Sequence, residues 1–374
     1  MPESWLNQED SSAQTGLLSV PQERQPALRI SCLGTLGVFH VRTALGLVVA
    51  AVSLVSSFSL AQTMKAVRVT AYGGPEVLKV EEIDRPKAGP GEVVVHVRAA
   101  GVNPVDWKIR QGLLKGMTPQ PPFIVGYDVA GTVESLGDGV TDFKVGDEVY
   151  AYLSLTKGGG YAQYVAVPAK ETAKKPKADF AEAAAVPLAG LTAWQALFTQ
   201  ASLKEGQTVL IHGAAGGVGH FAVQFAKSKG ATVVATASSA NHEFLKKLGA
   251  DIVIDYTKEK FEDVLKAKNI QADVVLDTIG ADTHDRSYAV LKKGGTLVSI
   301  VQPPKADKMK EFGVNAKVFL VMPNGPQLAE IARLIDAGKV TPHVSAKLPL
   351  EEAAKAHELS QTGKTRGKIV LEVK

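Results

Sequence analysis

From residue 207 to residue 300 the hydrophobic positions come in short runs separated by stretches with helical spacing. Thr208-Val209-Leu210-Ile211 is a β-branched apolar run that predicts a strand. A glycine-rich stretch follows, and then Phe221, Val223, Phe225 and Ala226 mark the apolar face of a helix with its stop at residues 227–230. Residues 231–236 predict the next strand, 244–248 a helix, 252–254 a strand, 259–268 a helix, and 272–277 and 296–300 two further strands. Strands separated by helices predict a parallel sheet covered on both faces, an α/β architecture. Before about residue 180 the pattern changes: residues 93–98 and 164–167 read as strands bounded by glycine and proline rather than by helices.

Composition adds bounds. With 374 residues, 45% hydrophobic and 21% charged, the chain is long enough for two cores. A formal net charge of +4, spread as interleaved Lys, Asp and Glu, gives no electrostatic case for nucleic acid or anionic lipid. The single cysteine, Cys32, excludes an intramolecular disulfide and a zinc lobe built from several thiolates. The eight histidines are scattered singly.

The sharpest chemical signal is the glycine-rich turn. Ala214-x-Gly216-x-x-Gly219 fits the dinucleotide fingerprint with Ala in the first glycine position, and Gly217 and Val218 complete the turn. Gly216 lets the backbone approach a pyrophosphate, Gly219 lets the helix pack closely on the strand, and the helix N-terminus offers free N–H groups. The next strand ends in Ser238, Ser239 and Asn241, with no carboxylate where an NAD-selective site would hold the ribose. Small hydroxyl and amide groups can meet a 2′-phosphate instead, so NADPH is expected over NADH. Ser238 also reads as a simple cap for the helix that follows. Thr278 and Gly280 lie at a later strand end, where such sheets bind ligands.

Between Met64 and Lys374 the chain resembles the medium-chain dehydrogenase/reductases, in their zinc-free, zeta-crystallin-like quinone oxidoreductase and alkenal/enone reductase branch. The resemblance rests on ordered motifs at residues 72–78, 101–106, 126–131, 145–150, 158–164, 191–194 and 366–371. It implies a GroES-like β-rich catalytic domain at 64–187, a Rossmann doubly wound parallel sheet binding NADPH at 188–322, and a return to the catalytic domain at 323–374. The zinc-dependent branch carries a cysteine where Asn103 stands and a histidine where Tyr127 stands, so no metal is expected. A quinone or an α,β-unsaturated carbonyl is the expected substrate, because either takes hydride with its charge delocalised onto oxygen. The resemblance places Asn103, Asp106 and Thr192 around nicotinamide and substrate. Lys108 and Tyr127 are candidates for stabilising the developing oxygen charge. Tyr256 resembles a contact to the adenosine end, and phosphate selectivity falls to Ser238, Ser239, Asn241 and Lys368. Plainer roles stand beside these: Asn103-Pro104 can shape a turn, Asp106 can cap a helix, and Lys108 can sit on a solvated face. A non-catalytic NADPH-binding protein is a further reading, and the resemblance implies a homodimer.

Residues 1–63 read as an extension. The first 37 are polar, rich in Gln, Ser and Pro, and aperiodic, and read as disordered or as foreign to the native product; the segment 41–61 has the charged start, apolar run and small-x-small end of a secretory signal, favoured over a membrane anchor. Against export, Met64 opens what reads as the first strand of a cytoplasmic enzyme, and no twin-arginine pair is present. A cytoplasmic enzyme with no stable membrane span in its mature form is therefore expected, with a periplasmic or secreted location through segment 41–61 as the alternative.

Overall fold

The computed structural model describes residues 62–374. The expectations for the N-terminal extension, including Cys32 and the signal-like segment, lie outside the described residues. None of the described helices is long and apolar enough to cross a membrane.

The apolar runs of the central sequence build one six-stranded parallel sheet. Its order is Ile252–Asp255, Thr232–Ala237, Thr208–Ile211, Ala272–Asp277, Leu291–Ser299, Asn315–Val318. Val209, Leu210 and Ile211 are fully buried, as a strand covered on both faces requires. One cover is the helix Gly219–Ser228, buried from Gly219 through Ala226 between the sheet and the helix Pro187–Trp194. Its Phe225 meets Trp194 edge-on at 5.5 Å. Phe221 and Phe225 are fully buried, and each contributes roughly 1.5–3 kcal/mol of apolar transfer energy. The order reverses between Thr208–Ile211 and Ala272–Asp277, so a crevice opens at the carboxyl ends of these two strands.

The strands expected before residue 180 form the second part, a seven-stranded sheet centred on Glu92–Val102. That strand pairs antiparallel with Asp128–Leu136, with Tyr164–Pro168 and with the last strand of the chain, Lys368–Glu372. The chain thus leaves this sheet, builds the nucleotide sheet, and returns to close it. Val93, Val95, Val97 and Ala100 are fully buried or nearly so, which accounts for the near-continuous apolar run. A smaller sheet joins Thr63–Val69 to Leu78–Asp84 and Phe123–Ile124. Boundaries shift where the pattern is weak: the helix expected over 259–268 is Phe261–Ala267, and the strand expected over 296–300 is Leu291–Ser299.

Candidate active site

The helix Pro104–Arg110 starts from Asn103, whose extended backbone is followed by a proline that has no N–H to lose at the first helical position. Asp106 reaches back over that turn, accepting from the Asn103 N–H at 2.8 Å on Oδ2. The turn-shaping and capping roles are therefore both present, and they fix two buried side chains. The Asn103 amide Nδ2 donates to Asp128 Oδ2 at 2.8 Å, and the Lys368 ammonium donates to Asn103 Oδ1 and, at 2.9 Å, to the Val102 carbonyl. Lys368 Nζ lies 3.4 Å from Asp128 Oδ2, a buried ion pair. The other Asp128 oxygen accepts from the Leu188 N–H at 2.6 Å, in the first turn of the helix Pro187–Trp194. One turn on, Thr192 Oγ1 donates to the Leu188 carbonyl at 2.7 Å. Asn103, Asp106, Asp128 and Lys368 thus belong to one connected network, and Thr192 lies one turn along the helix whose start Asp128 holds.

Burial sets the charges in this network. It pushes the Asp106 carboxyl up to about 7, even though the Asn103 N–H and the Tyr161 hydroxyl, at 2.7 Å, both donate to Oδ2 and pull the other way. Asp128 is also raised by burial, against the opposing pull of Lys368. The hydroxyls of Tyr127 and Tyr161 are held protonated far above the usual phenol range, again chiefly by burial. Asp106 Oδ1 and the Tyr127 hydroxyl stay without a partner among the described residues, as do Trp107 Nε1 on the same helix and Nε2 of His357, whose ring packs edge-on against Tyr161. Buried polar atoms are nearly always satisfied, so these atoms have hydrogen-bonding capacity left for a ligand or a water. Lys108 is half-buried with its ammonium 5.6 Å from the Trp107 ring centroid, and burial lowers its pKa. It therefore does not sit on a fully solvated face, and among the described residues it makes no hydrogen bond to the network.

At the glycine-rich turn, a Cβ on Gly219 would fall 2.4 Å from the Gly213 carbonyl, so only glycine permits this helix to start against the strand end. Gly213 has φ +63° and packs on Thr278, whose Oγ1 donates to the His212 carbonyl at 2.8 Å. Gly280 N–H donates to Asp277 Oδ1. Ala214 N–H is used by the Thr236 carbonyl and Gly216 N–H by Gly213, while those of Gly217 and Val218 meet no acceptor among the described residues. Ser238 does not cap the helix His242–Lys247; its hydroxyl accepts from Asn241 Nδ2 at 3.3 Å. Ser239 donates to Asp255, and Tyr256 stands exposed beside them.

Lys368 differs from its expected place. Strand register pairs Ile369 with Val102, so Lys368 falls opposite Asn103 and its ammonium enters the Asn103–Asp128 network instead of the ribose end. Its stem passes Gly217, where a Cβ would lie 3.2 Å from Cδ. The sequence reading also passed over Asp128, Tyr161 and Arg366. Asp128 carried a signal, a lone carboxylate between apolar residues of a strand; Tyr161 and Arg366 carried none beyond their motifs.

Comparison with known proteins agrees with this geometry. Family models match residues 89–177, described as an alcohol dehydrogenase GroES-like domain, and residues 248–371, described as a zinc-binding dehydrogenase. An NADPH-dependent alkenal/one oxidoreductase, chloroplastic, of Arabidopsis thaliana is 40% identical over 86% of this chain and 83% of that protein. A chloroplast envelope quinone oxidoreductase homolog of the same plant is 36% identical over 83% of this chain and 98% of its own length. The solved structure of a quinone oxidoreductase from Coxiella burnetii superposes with a TM-score of 0.76 at 37% identity, covering 84% of this chain and all of that one. The chain belongs to the medium-chain dehydrogenase/reductases, in the branch of quinone oxidoreductases and alkenal/enone reductases.

The name of one matching model raises the question of zinc. Where that metal would need thiolate or imidazole donors the chain offers the Asn103 amide, committed to Asp128 and Lys368, and a buried phenol at Tyr127. An ammonium already sits among them, and among the described residues no three His, Cys, Asp or Glu side chains converge. These donors do not fit a zinc ion. The glycine-rich turn does fit a dinucleotide: the close-packed Gly219 and the N–H groups of Gly217 and Val218, free among the described residues, lie on the strand–turn–helix the fingerprint requires.

Proposed function

We propose that this chain is an NADPH-dependent reductase that passes hydride to a quinone without a metal, with the carbon–carbon double bond of enals and enones as a second substrate class. The observation that carries the reading is the pair of buried, unpartnered atoms, Asp106 Oδ1 and the Tyr127 hydroxyl, beside a network with an ammonium and neither thiolate nor imidazole. Similarity to an alkenal/one oxidoreductase favours keeping the second class.

NADPH, when bound, supplies the hydride. Gly216, Gly217, Val218 and Gly219 hold its pyrophosphate at the helix N-terminus, while Ser238, Ser239, Asn241 and Tyr256 meet the adenosine ribose end. Ala214, Thr278 and Gly280 shape the strand ends that flank it, and Thr192 and Asn103 border the nicotinamide. Tyr127 is kept neutral by burial and can only act as a hydrogen-bond donor toward an acceptor oxygen that gains charge. In Asp106 two donors occupy Oδ2, so the proton retained up to about pH 7 belongs on Oδ1, the unpartnered oxygen. Lys368 Nζ donates to Asn103 Oδ1 and orients its amide. Lys108, partly desolvated, is a further donor for the developing oxygen charge.

For assembly we infer a homodimer. Asn315–Val318 is the sheet edge, and Val318, Leu320 and Met322 beside it are exposed. A cytoplasmic location remains the expectation for residues 64–374. The function is tested by following NADPH and, separately, NADH oxidation with a series of quinones and enones. NADPH-dependent turnover is expected, and the better acceptor class decides between the two substrates; tight NADPH binding without turnover would support a non-catalytic binding protein.

A further inference from the structure

The polar groups at the end of Thr232–Ala237 are largely spoken for. The Ser239 hydroxyl donates to Asp255 Oδ2, Asn241 Nδ2 donates to the Ser238 hydroxyl, and Asn241 Oδ1 accepts from Arg366 Nε at 2.7 Å. Arg366 does not belong to the nucleotide sheet. It comes from the returning chain just before the strand Lys368–Glu372 and reaches across to this loop, where its NH2 group also donates to the Ala240 carbonyl at 2.8 Å. Those two bonds use two of its five N–H donors and leave three. The Phe244 ring, 5.3 Å from Cζ, lies under the guanidinium plane. Among the described residues no carboxylate pairs with Arg366, so its charge is uncompensated.

The neighbouring residues hold this side chain in place. Gly367 N–H donates to the Ala215 carbonyl at 2.9 Å, and Gly367 has φ +64° with His343 O 2.3 Å from where a Cβ would be. Lys368 then enters the catalytic network. Three successive residues thus touch the ribose-end loop, the glycine-rich turn and the catalytic cluster. A guanidinium that is planar, always charged and already oriented suits a phosphate dianion better than the serines do.

We propose that Arg366 is the residue that selects the 2′-phosphate of NADPH, with Asn241 and Ala240 serving to aim it. This rests on the NADPH reading above. It assigns cofactor choice to a side chain of the catalytic part and not to the nucleotide sheet.

The test is calorimetric titration of the full chain and of its Arg366→Gln and Arg366→Lys variants with 2′,5′-ADP, 5′-AMP, NADPH and NADH. No turnover is needed to read it. Arg366→Gln should weaken 2′,5′-ADP and NADPH by roughly 10- to 100-fold, the worth of a charge-assisted hydrogen-bonded contact, while 5′-AMP and NADH change little. Arg366→Lys, which keeps the charge but not the fork, should fall between. Equal loss for all four ligands in Arg366→Gln, or no loss for any, overturns the assignment while wild-type preference for 2′,5′-ADP leaves the cofactor reading standing. Wild type that binds 2′,5′-ADP no better than 5′-AMP overturns both.

Discussion

Among the described residues, a polar network at the strand ends of the nucleotide sheet and the one around Asn103 are both buried, and they differ in one respect. In the nucleotide sheet, Asp277 Oδ1 accepts from the N–H groups of Ile279 and Gly280, and Oδ2 from Ser299 and His284. His284 Nε2 meets the Tyr288 hydroxyl, and the two ring nitrogens of His212 meet Thr236 and Ser287. Every one of these titratable side chains has its partners. Burial alone would raise Asp277, but the His284 contact and the two N–H groups outweigh it and hold the carboxyl low. Burial pushes His212 down to about 4, so that ring is neutral at working pH. The network around Asn103 is just as buried, yet Asp106 Oδ1 and the Tyr127 hydroxyl have nothing to bond to. A closed network fastens strand ends together; an open one is waiting for a ligand atom.

The closed network should be broken most severely through Asp277. Asp277→Ala strands several buried donors at about 1–3 kcal/mol each, so urea unfolding should show a loss on the order of 4 kcal/mol or more. A loss below about 1 kcal/mol would remove the distinction between the two networks.

Tyr127→Phe should do the reverse. Deleting an unpartnered hydroxyl leaves stability unchanged or improved by about 1 kcal/mol. The same change should lower kcat by roughly 10²-fold, as loss of one donor to a developing oxyanion does. A variant destabilised without loss of rate would place Tyr127 with the structural groups.

The smallest effect is the pH profile, which sharpens the assignment of Asp106. With its carboxyl raised to about 7, the proton on Oδ1 is present below that pH and lost above it. kcat/KM should therefore fall by about tenfold per unit well above pH 7, and Asp106→Asn, which keeps a donor without titrating, should flatten that limb. The stability sign follows from the same shift. The folded state holds this proton more tightly than the unfolded one, so the Asp106 contribution to stability declines as pH rises from about 4 to about 7.

The nucleotide half was legible in the sequence because its signals are local. The strand Thr208–Ile211, the glycine-rich turn and the helix that follows are contiguous, and their periods identify them without knowledge of the rest. The turn at Asn103-Pro104 and the cap at Asp106 were legible for the same reason, being three residues apart across one helical turn, whereas a place for them beside a nicotinamide came only from the family resemblance. Lys368 was not, since it meets Asn103 from 265 positions away and only the register of the returning strand brings it there. Arg366 and Asn241, 125 positions apart, were hidden in the same way. The continuous apolar run Ile369-Val370-Leu371 suits a buried strand but says nothing of which strand it pairs with. Asp128 was partly visible as a carboxylate in an apolar strand; what hid its role was the missing partner.

The central claim is that protein hydrogen bonds around an open network, and not a metal, receive the charge that develops on the substrate. The most direct measurement is the quinone-dependent NADPH oxidation rate of exhaustively chelated enzyme, wild type and Tyr127→Phe, before and after zinc is added back. Wild type should keep full activity without metal, Tyr127→Phe should be slower, and neither should gain from zinc. Wild-type activity that disappears on chelation and returns with zinc would contradict it.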